Sequence, residues 1–433
     1  MKTSLKRLAS SAGFIAAVAL AVRFLILWWT WHRAAPLPPN TPYGYELGCV
    51  AKSIASGKGF SSPLPFFDTG PTAWLSPVFP YIAGGIFKIW GIYSVKSHIA
   101  IQILNCLFSA LTIFPIYAIA KRSFGASVAV GASWLWVVLP TAWHIPIADV
   151  WDTSLSALLF ALLFWATLAL RGERSSAKWA GYGALWAFAA LTNTSLASVL
   201  PFFLAWLAWE AHRERLPWLR PAAVASLVFV LGLAPWTFRN YEVFGKFVPV
   251  RSVLGITLWM GNNSTAVGID SFPMLPTLNL AAAERFKEMG EINYAKGKEL
   301  EAIAFMRSHP ATTLRHVLRD VASFWLAVSD RPDETWSTDP PYVKALLLLN
   351  AVVIFLGALG VAVAWRLRNP NIVPYVCLLV VFPLVYYVTY PLVRFRFAIE
   401  PFLAVLAACG GLYFLVHHRL PADERGVAQG STL

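Results

Sequence analysis

Apolar residues run along this chain in blocks of about twenty, separated by short polar or basic stretches, and that spacing matches the hydrocarbon thickness of a bilayer. Blocks near 12–31, 97–120, 126–143, 152–170, 177–193, 195–211, 221–238, 342–365, 371–390 and 397–416 predict ten transmembrane helices. Residues 74–91 are apolar enough to imitate another span, but they carry Pro77, Pro80, Lys88 and a glycine pair, so they read as a helix lying in the interface. Between the blocks, 45–55 has helical periodicity, with Leu47, Val50 and Ile54 on one face and Gly57 and Gly59 after it. Residues 281–309 alternate acid and base (Glu284, Lys287, Glu288, Glu291, Lys296, Lys298, Glu299, Glu301), as a solvated helix face does. The expected architecture is an all-α polytopic membrane protein with juxtamembrane helices and one long outer loop region.

Composition and charge sharpen this picture. With 58% hydrophobic and 13% charged residues the chain is no soluble globule. Aromatic content of 15% suits interfacial belts, and the net charge of +13 suits an anionic cytoplasmic leaflet without invoking nucleic acid. Lys2, Lys6 and Arg7, Lys121-Arg122, Arg171 with Arg174 and Lys178, Arg213 with Arg215 and Arg220, Arg366 with Arg368, and Arg419 all fall inside if ten spans are counted. Both termini are then cytoplasmic, and the basic start followed by 12–31 reads as a retained first span rather than a cleaved leader. The parts are an N-terminal membrane module 1–238 whose first outer loop is 32–97, an outer region 239–341, and C-terminal spans with a short tail, 342–433. Cys49, Cys106, Cys377 and Cys409 show neither a disulfide framework nor zinc spacing.

Four outward-facing stretches carry candidate chemistry. Glu46 stands in the first turn of 45–55, where free N–H groups and the helix dipole favour an ionised carboxylate, as a general base requires. Asp152 opens the fourth span, either as its N-cap or, with Asp149 and His144 in the turn 143–151, as a group that orients an acceptor or holds a divalent ion. Arg394 and Arg396 stand at the outer mouth of the last span against the charge bias, where they either grip a phosphate or pair with Glu400 or lipid headgroups. Arg239 and Arg251 add positive charge beside another span end, and Trp259, Asn262 and Asn263 offer a sugar its stacking surface and amides. Arg23 is an intramembrane cation that either snorkels or helps hold a buried phosphate.

Taken in order, these segments resemble the GT-C glycosyltransferases, and within them the family 39-type branch of protein O-mannosyltransferases and the lipid A aminoarabinose transferase. The likeness rests on Glu46 after span one, Gly57-Lys-Gly-Phe60, Ser76-Pro-Val-Phe-Pro-Tyr81 and Asp152. It continues through Pro235-Trp-Thr-Phe-Arg-Asn240, Gly261-Asn-Asn263, and Arg394-Phe-Arg396 with Glu400-Pro401. Where family members carry an Asp-Glu pair, this chain has Tyr45-Glu46, which leaves Glu46 to act alone or with Asp152 across a cavity. The resemblance implies an inner-membrane hexosyl- or pentosyltransferase of bacterial type with its active site on the periplasmic face. It would move a sugar from a polyprenyl-phosphate donor to a lipid, protein or cell-wall glycan, with inversion at the anomeric carbon. Some relatives take a divalent cation (Mg or Mn), for which Glu46 and Asp152 are the ligands available here. Glu46 and Asp152 are then the catalytic pair. Arg394, Arg396, Arg239 and Lys58 hold the donor phosphate, and Asp149, His144, Trp259 and Asn262 touch acceptor or sugar. The competing readings are a glycan polymerase or ligase using polyprenyl donors and a transporter of lipid-linked glycan.

Overall fold

The computed structural model describes residues 7–33, 41–148, 150–264, 268–326 and 341–419. It is helical, with no strand longer than an isolated bridge among them. Each of the ten apolar blocks is helical. α1 (Ala12–Arg33) is followed by two short helices, α2 (Tyr45–Ala55) and α3 (Val78–Trp90). Next come α4 (Val95–Leu111) and α5 (Ile113–Phe124), α6 (Ala126–Val138) and α7 (Pro140–Ala148), α8 (Thr153–Ala169), α9 (Ser176–Thr192), α10 (Leu200–Arg213) and α11 (Leu219–Phe244). The 82 residues after Phe244 hold α12 (Leu254–Gly261), α13 (Leu280–Met289), α14 (Glu291–Ser308) and α15 (Pro310–Leu326). The chain then returns to the bundle through α16 (Pro341–Arg366), α17 (Ile372–Val381), α18 (Leu384–Val388), the four-residue α19 (Val393–Arg396) and α20 (Glu400–Arg419).

Among the described residues six helices are long and apolar enough to cross a bilayer, and the bent pair α6–α7 makes a seventh. The remaining blocks are shorter or broken for local reasons. Pro140 bends α6–α7 by 44°, and Pro383 divides the block 371–390 into α17 and α18, because proline removes a backbone donor and clashes with the preceding turn. The block 195–211 opens with a 3-10 turn, Thr194–Val199, capped by the Asn193 side chain. The stretch 143–151 is not the simple turn expected, since α7 runs through it to Ala148. α3, at 13 residues and roughly 20 Å, is too short to span, in keeping with an interface helix.

The apolar blocks differ in what they face. α8 and α20 are buried in the bundle, whereas α11 and α16 turn most of their apolar surface outward, as lipid-facing helices do. Several polar groups within the bundle are paired internally, as Thr167 is with the Tyr182 hydroxyl. Arg23 neither snorkels nor reaches a phosphate: its guanidinium donates to Ser109 Oγ (3.0 Å) and to the carbonyls of Ala19 (3.0 Å) and Trp136 (3.3 Å). The basic connections gather in pairs. Asn369 and Asn371 donate to the carbonyls of Ser123 and Arg122 (2.6 and 3.5 Å), and Arg171 pairs with Glu210 and Glu214 (2.6 and 3.5 Å).

Candidate active site

α2 begins immediately after Gly44, whose φ of +80° lies in the left-handed region that suits glycine. This sharp entry sets Glu46 in the first turn, where its carboxylate points into a cavity of about 530 Å³. Asp152 reaches the same cavity from the start of α8. It occupies the N-cap position but makes no side-chain cap; instead its Oδ2 accepts the Ser156 hydroxyl at 2.8 Å, which aims the carboxylate across the cavity. Arg251, from the loop after α11, faces both acids and is held by a hydrogen bond from its Nε to the Trp74 carbonyl at 3.0 Å. Arg394 enters from α19 with its guanidinium 4.3 Å above the Trp151 ring. Two carboxylates and two guanidiniums, from four separate elements, therefore share one chamber. Ser76, Asn193, Ser195 and Tyr386 supply further hydroxyl and amide groups to its wall.

Glu46 is half-buried because its exposed surface faces the cavity rather than bulk solvent. Burial pushes its carboxyl above the ordinary range, against the opposing pull of Arg394, Arg251 and a Thr277 hydrogen bond. The helix start alone suggested a readily ionised acid; the enclosure reverses the direction of that shift. An elevated carboxylate is the better proton acceptor at neutral pH.

Several other expected site residues stand elsewhere. Lys58 is exposed and pairs with Asp68 at 2.8 Å. Arg239 is spent on backbone, donating to the carbonyls of Thr72 (2.6 Å) and Phe60 (2.9 Å) and stacking on Trp236 at 5.0 Å. Arg396 is buried, paired with Glu400 at 3.1 Å and donating to the Trp325 carbonyl at 2.6 Å, so the two arginines of the Arg-Phe-Arg run do different work. Trp259 is buried beneath the Lys298 ammonium at 4.1 Å. Asn262 donates to the carbonyls of Leu258 and Val388 (3.1 and 2.7 Å). That tie is possible because Gly261 lies against Thr389 with no room for a Cβ. His144 is exposed on α7, and Asp149 lies outside the described residues.

Arg251 and Glu291 are the residues that carry more than their sequence context promised. Glu291 reads as one more acid on a solvated helix, but a break at Gly290 makes it the first residue of α14, and it is buried. Its carboxylate accepts from the Thr72 and Ser252 hydroxyls and from the Ala73 amide (2.8 Å), while burial raises its pKa. Ser252 in turn donates its own amide to the Ala73 carbonyl at 2.9 Å. One carboxylate thus pins together the strap carrying Trp74 and Ser76 and the loop carrying Arg251. Glu291→Ala leaves two hydroxyls and an amide without their acceptor. A loss of roughly 2–3 kcal/mol is expected, read as a lower melting temperature, whereas Glu284→Ala on the exposed face of α13 stays within about 0.5 kcal/mol. Equal melting temperatures for the two variants would remove Glu291 from this role.

The carboxylates that a divalent cation would find in this chamber are those of Glu46 and Asp152. Among the described residues no three His, Cys, Asp or Glu side chains cluster, and a hard cation seeks six or more oxygens. These two carboxylates face the Arg251 and Arg394 guanidiniums.

The family model for dolichyl-phosphate-mannose-protein mannosyltransferase matches residues 73–236, the stretch from the Trp74 strap through Asp152 to the end of the first membrane module. The Archaeoglobus fulgidus oligosaccharyltransferase, in complex with Zn and sulfate, superimposes with a TM-score of 0.57 at 15% identity over 97% of this chain. The same enzyme (AglB), with an inhibitory peptide and a dolichol-phosphate, gives 0.55 at 15% identity over 95%. The fold matches that of the archaeal oligosaccharyltransferase over the aligned stretch. The chain spans 51% of the length of the archaeal enzyme. ArnT from Cupriavidus metallidurans, bound to undecaprenyl phosphate, aligns over 95% of this chain and 81% of its own at 16% identity; its TM-score of 0.39 is too low to carry weight. No curated protein matches the chain.

Proposed function

We propose that this protein moves a monosaccharide from a polyprenyl-phosphate donor to an acceptor at the outer face of the membrane. The observation that carries the reading is the chamber itself, in which Glu46 and Asp152 face Arg251 and Arg394. Glu46 takes the proton from an acceptor hydroxyl or amine as that atom bonds to the anomeric carbon. The bond from that carbon to the phosphate oxygen breaks, its electron pair leaves with the phosphate, and Arg394 and Arg251 hold the charge that develops there. Attack opposite the leaving phosphate inverts the anomeric centre. Asp152, aimed by Ser156, orients the acceptor. The Arg171 and Arg122 clusters lie at loops that alternate with the chamber, and the positive-inside bias assigns them to the cytoplasm and the chamber to the opposite side. The dolichol-phosphate held by the archaeal GT-C relative supports a lipid monophosphate as the donor's carrier.

Mass spectrometry of lipid that copurifies with the protein tests this proposal. A polyprenyl monophosphate, free or bearing one sugar, is expected. A polyprenyl diphosphate bearing an oligosaccharide would replace the proposal with a polymerase or ligase, and ordinary phospholipid alone would overturn it.

A further inference from the structure

α15 has an apolar stripe that no part of the described structure covers. Leu314, Leu318 and Leu326 are 59%, 61% and 45% exposed, and Ala311 and Ala322 are exposed on the same face. Arg315 is exposed beside the stripe, while Asp320, which pairs with the Arg319 guanidinium at 3.1 Å, and Phe324 are buried against the protein on the opposite face. A composition of this kind within the long loop after α11 would ordinarily face water. The contacts at its end say otherwise. The Trp325 carbonyl accepts from Asn350 Nδ2 at 3.1 Å, and the Trp325 indole donates to the Tyr387 hydroxyl at 2.6 Å. Asn350 lies six residues past the charged Lys344, about 9 Å along the helix, in the stretch Lys344–Arg366 that is long and apolar enough to cross a bilayer. That is the depth to which an in-plane amphipathic helix sinks its apolar face. Around Asn350 on α16, Leu346, Leu348 and Val352 are also exposed, an apolar surface beside the end of α15.

We infer that α15 is a membrane-interface helix whose Leu314–Leu318–Leu326 face lies among the acyl chains of the leaflet on the chamber side, with Arg315 directed at the phosphate plane. The partner is the lipid of that leaflet. The consequence reaches the GT-C chamber. Arg396 donates to the Phe324 and Trp325 carbonyls in the last turn of α15, and Arg394, two residues earlier on α19, faces the cavity. The seat of α15 in the lipid is thereby coupled to the placement of Arg394.

The test uses the full-length protein with its native cysteines replaced. An environment-sensitive fluorophore is attached in turn at Leu314→Cys, at Leu318→Cys and, as the aqueous control, at Glu284→Cys. Each labelled protein is reconstituted into phosphatidylethanolamine–phosphatidylglycerol vesicles. Labels at 314 and 318 are expected to emit at shorter wavelength than the control. Lipid brominated near the headgroup should quench them about twofold or more over the control, with aqueous iodide quenching them less. Iodide quenching equal to the control overturns the inference. So does a blue-shifted label that neither quencher reaches, since that result means protein, a second copy included, covers the stripe. None of these readouts depends on transfer activity, so they stand or fall apart from the proposed function.

Discussion

Glu46→Gln is expected to lower sugar transfer by about 10²- to 10⁴-fold, the contribution of a positioned general base, while the protein purifies and melts as the parent does. Glutamine preserves the shape and the Thr277 contact but takes no proton. The pH dependence follows from the same surroundings. A base works deprotonated, so transfer rises with pH as Glu46 ionises, and burial places the acid limb of kcat/KM above the ordinary glutamate value of about 4.3. Arg251 is one of the cations that pulls that limb down. Arg251→Ala therefore moves it further up, and a limb that moves down, or that persists unchanged in Glu46→Gln, would assign the proton to another group.

The second large effect separates two arginines that the sequence presents as a pair. Arg394→Ala is expected to weaken binding of a polyprenyl phosphate by about 1.5–3 kcal/mol, roughly 10- to 150-fold in dissociation constant, because it removes a forked cation from the chamber. Arg396→Ala should act on stability instead. It leaves the Glu400 carboxylate, 3% exposed, without its paired cation, only the Thr141 hydroxyl remaining, and uncaps the end of α15, a change of the kind that costs about 3–5 kcal/mol. Titrating both variants with the lipid phosphate below their melting temperatures distinguishes the roles. Equal losses of affinity would return Arg396 to the phosphate site.

Much of this architecture is legible one residue at a time. Block length alone gives the ten helical segments, since a helix crossing hydrocarbon needs an uninterrupted apolar run. Pro140 and Pro383 stand where two of those segments bend, whereas Pro235 lies inside the unbroken α11. Glu46 is legible too, because its place in the first turn of α2 follows from local periodicity and the glycines that bound it. Polar residues in the loops are harder. Arg239, Arg396 and Arg251 all read as unexplained positive charge near span ends, and nothing local distinguishes them. Their fates depend on which carbonyls and carboxylates arrive from distant parts of the chain: Thr72 and Phe60 for Arg239, Glu400 and Trp325 for Arg396, and the chamber's two acids for Arg251.

The chain by itself determined a multi-pass helical bundle and one carboxylate at a helix start, because both depend on interactions within about twenty residues. Only the tertiary structure decided that Asp152, Arg251 and Arg394 share that carboxylate's cavity, that Glu291 is a buried clasp rather than a solvated acid, and that Arg239 and Arg396 hold backbone. A long-range contact is set by how helices pack, and a charged side chain's role is set by whichever partner that packing leaves within reach.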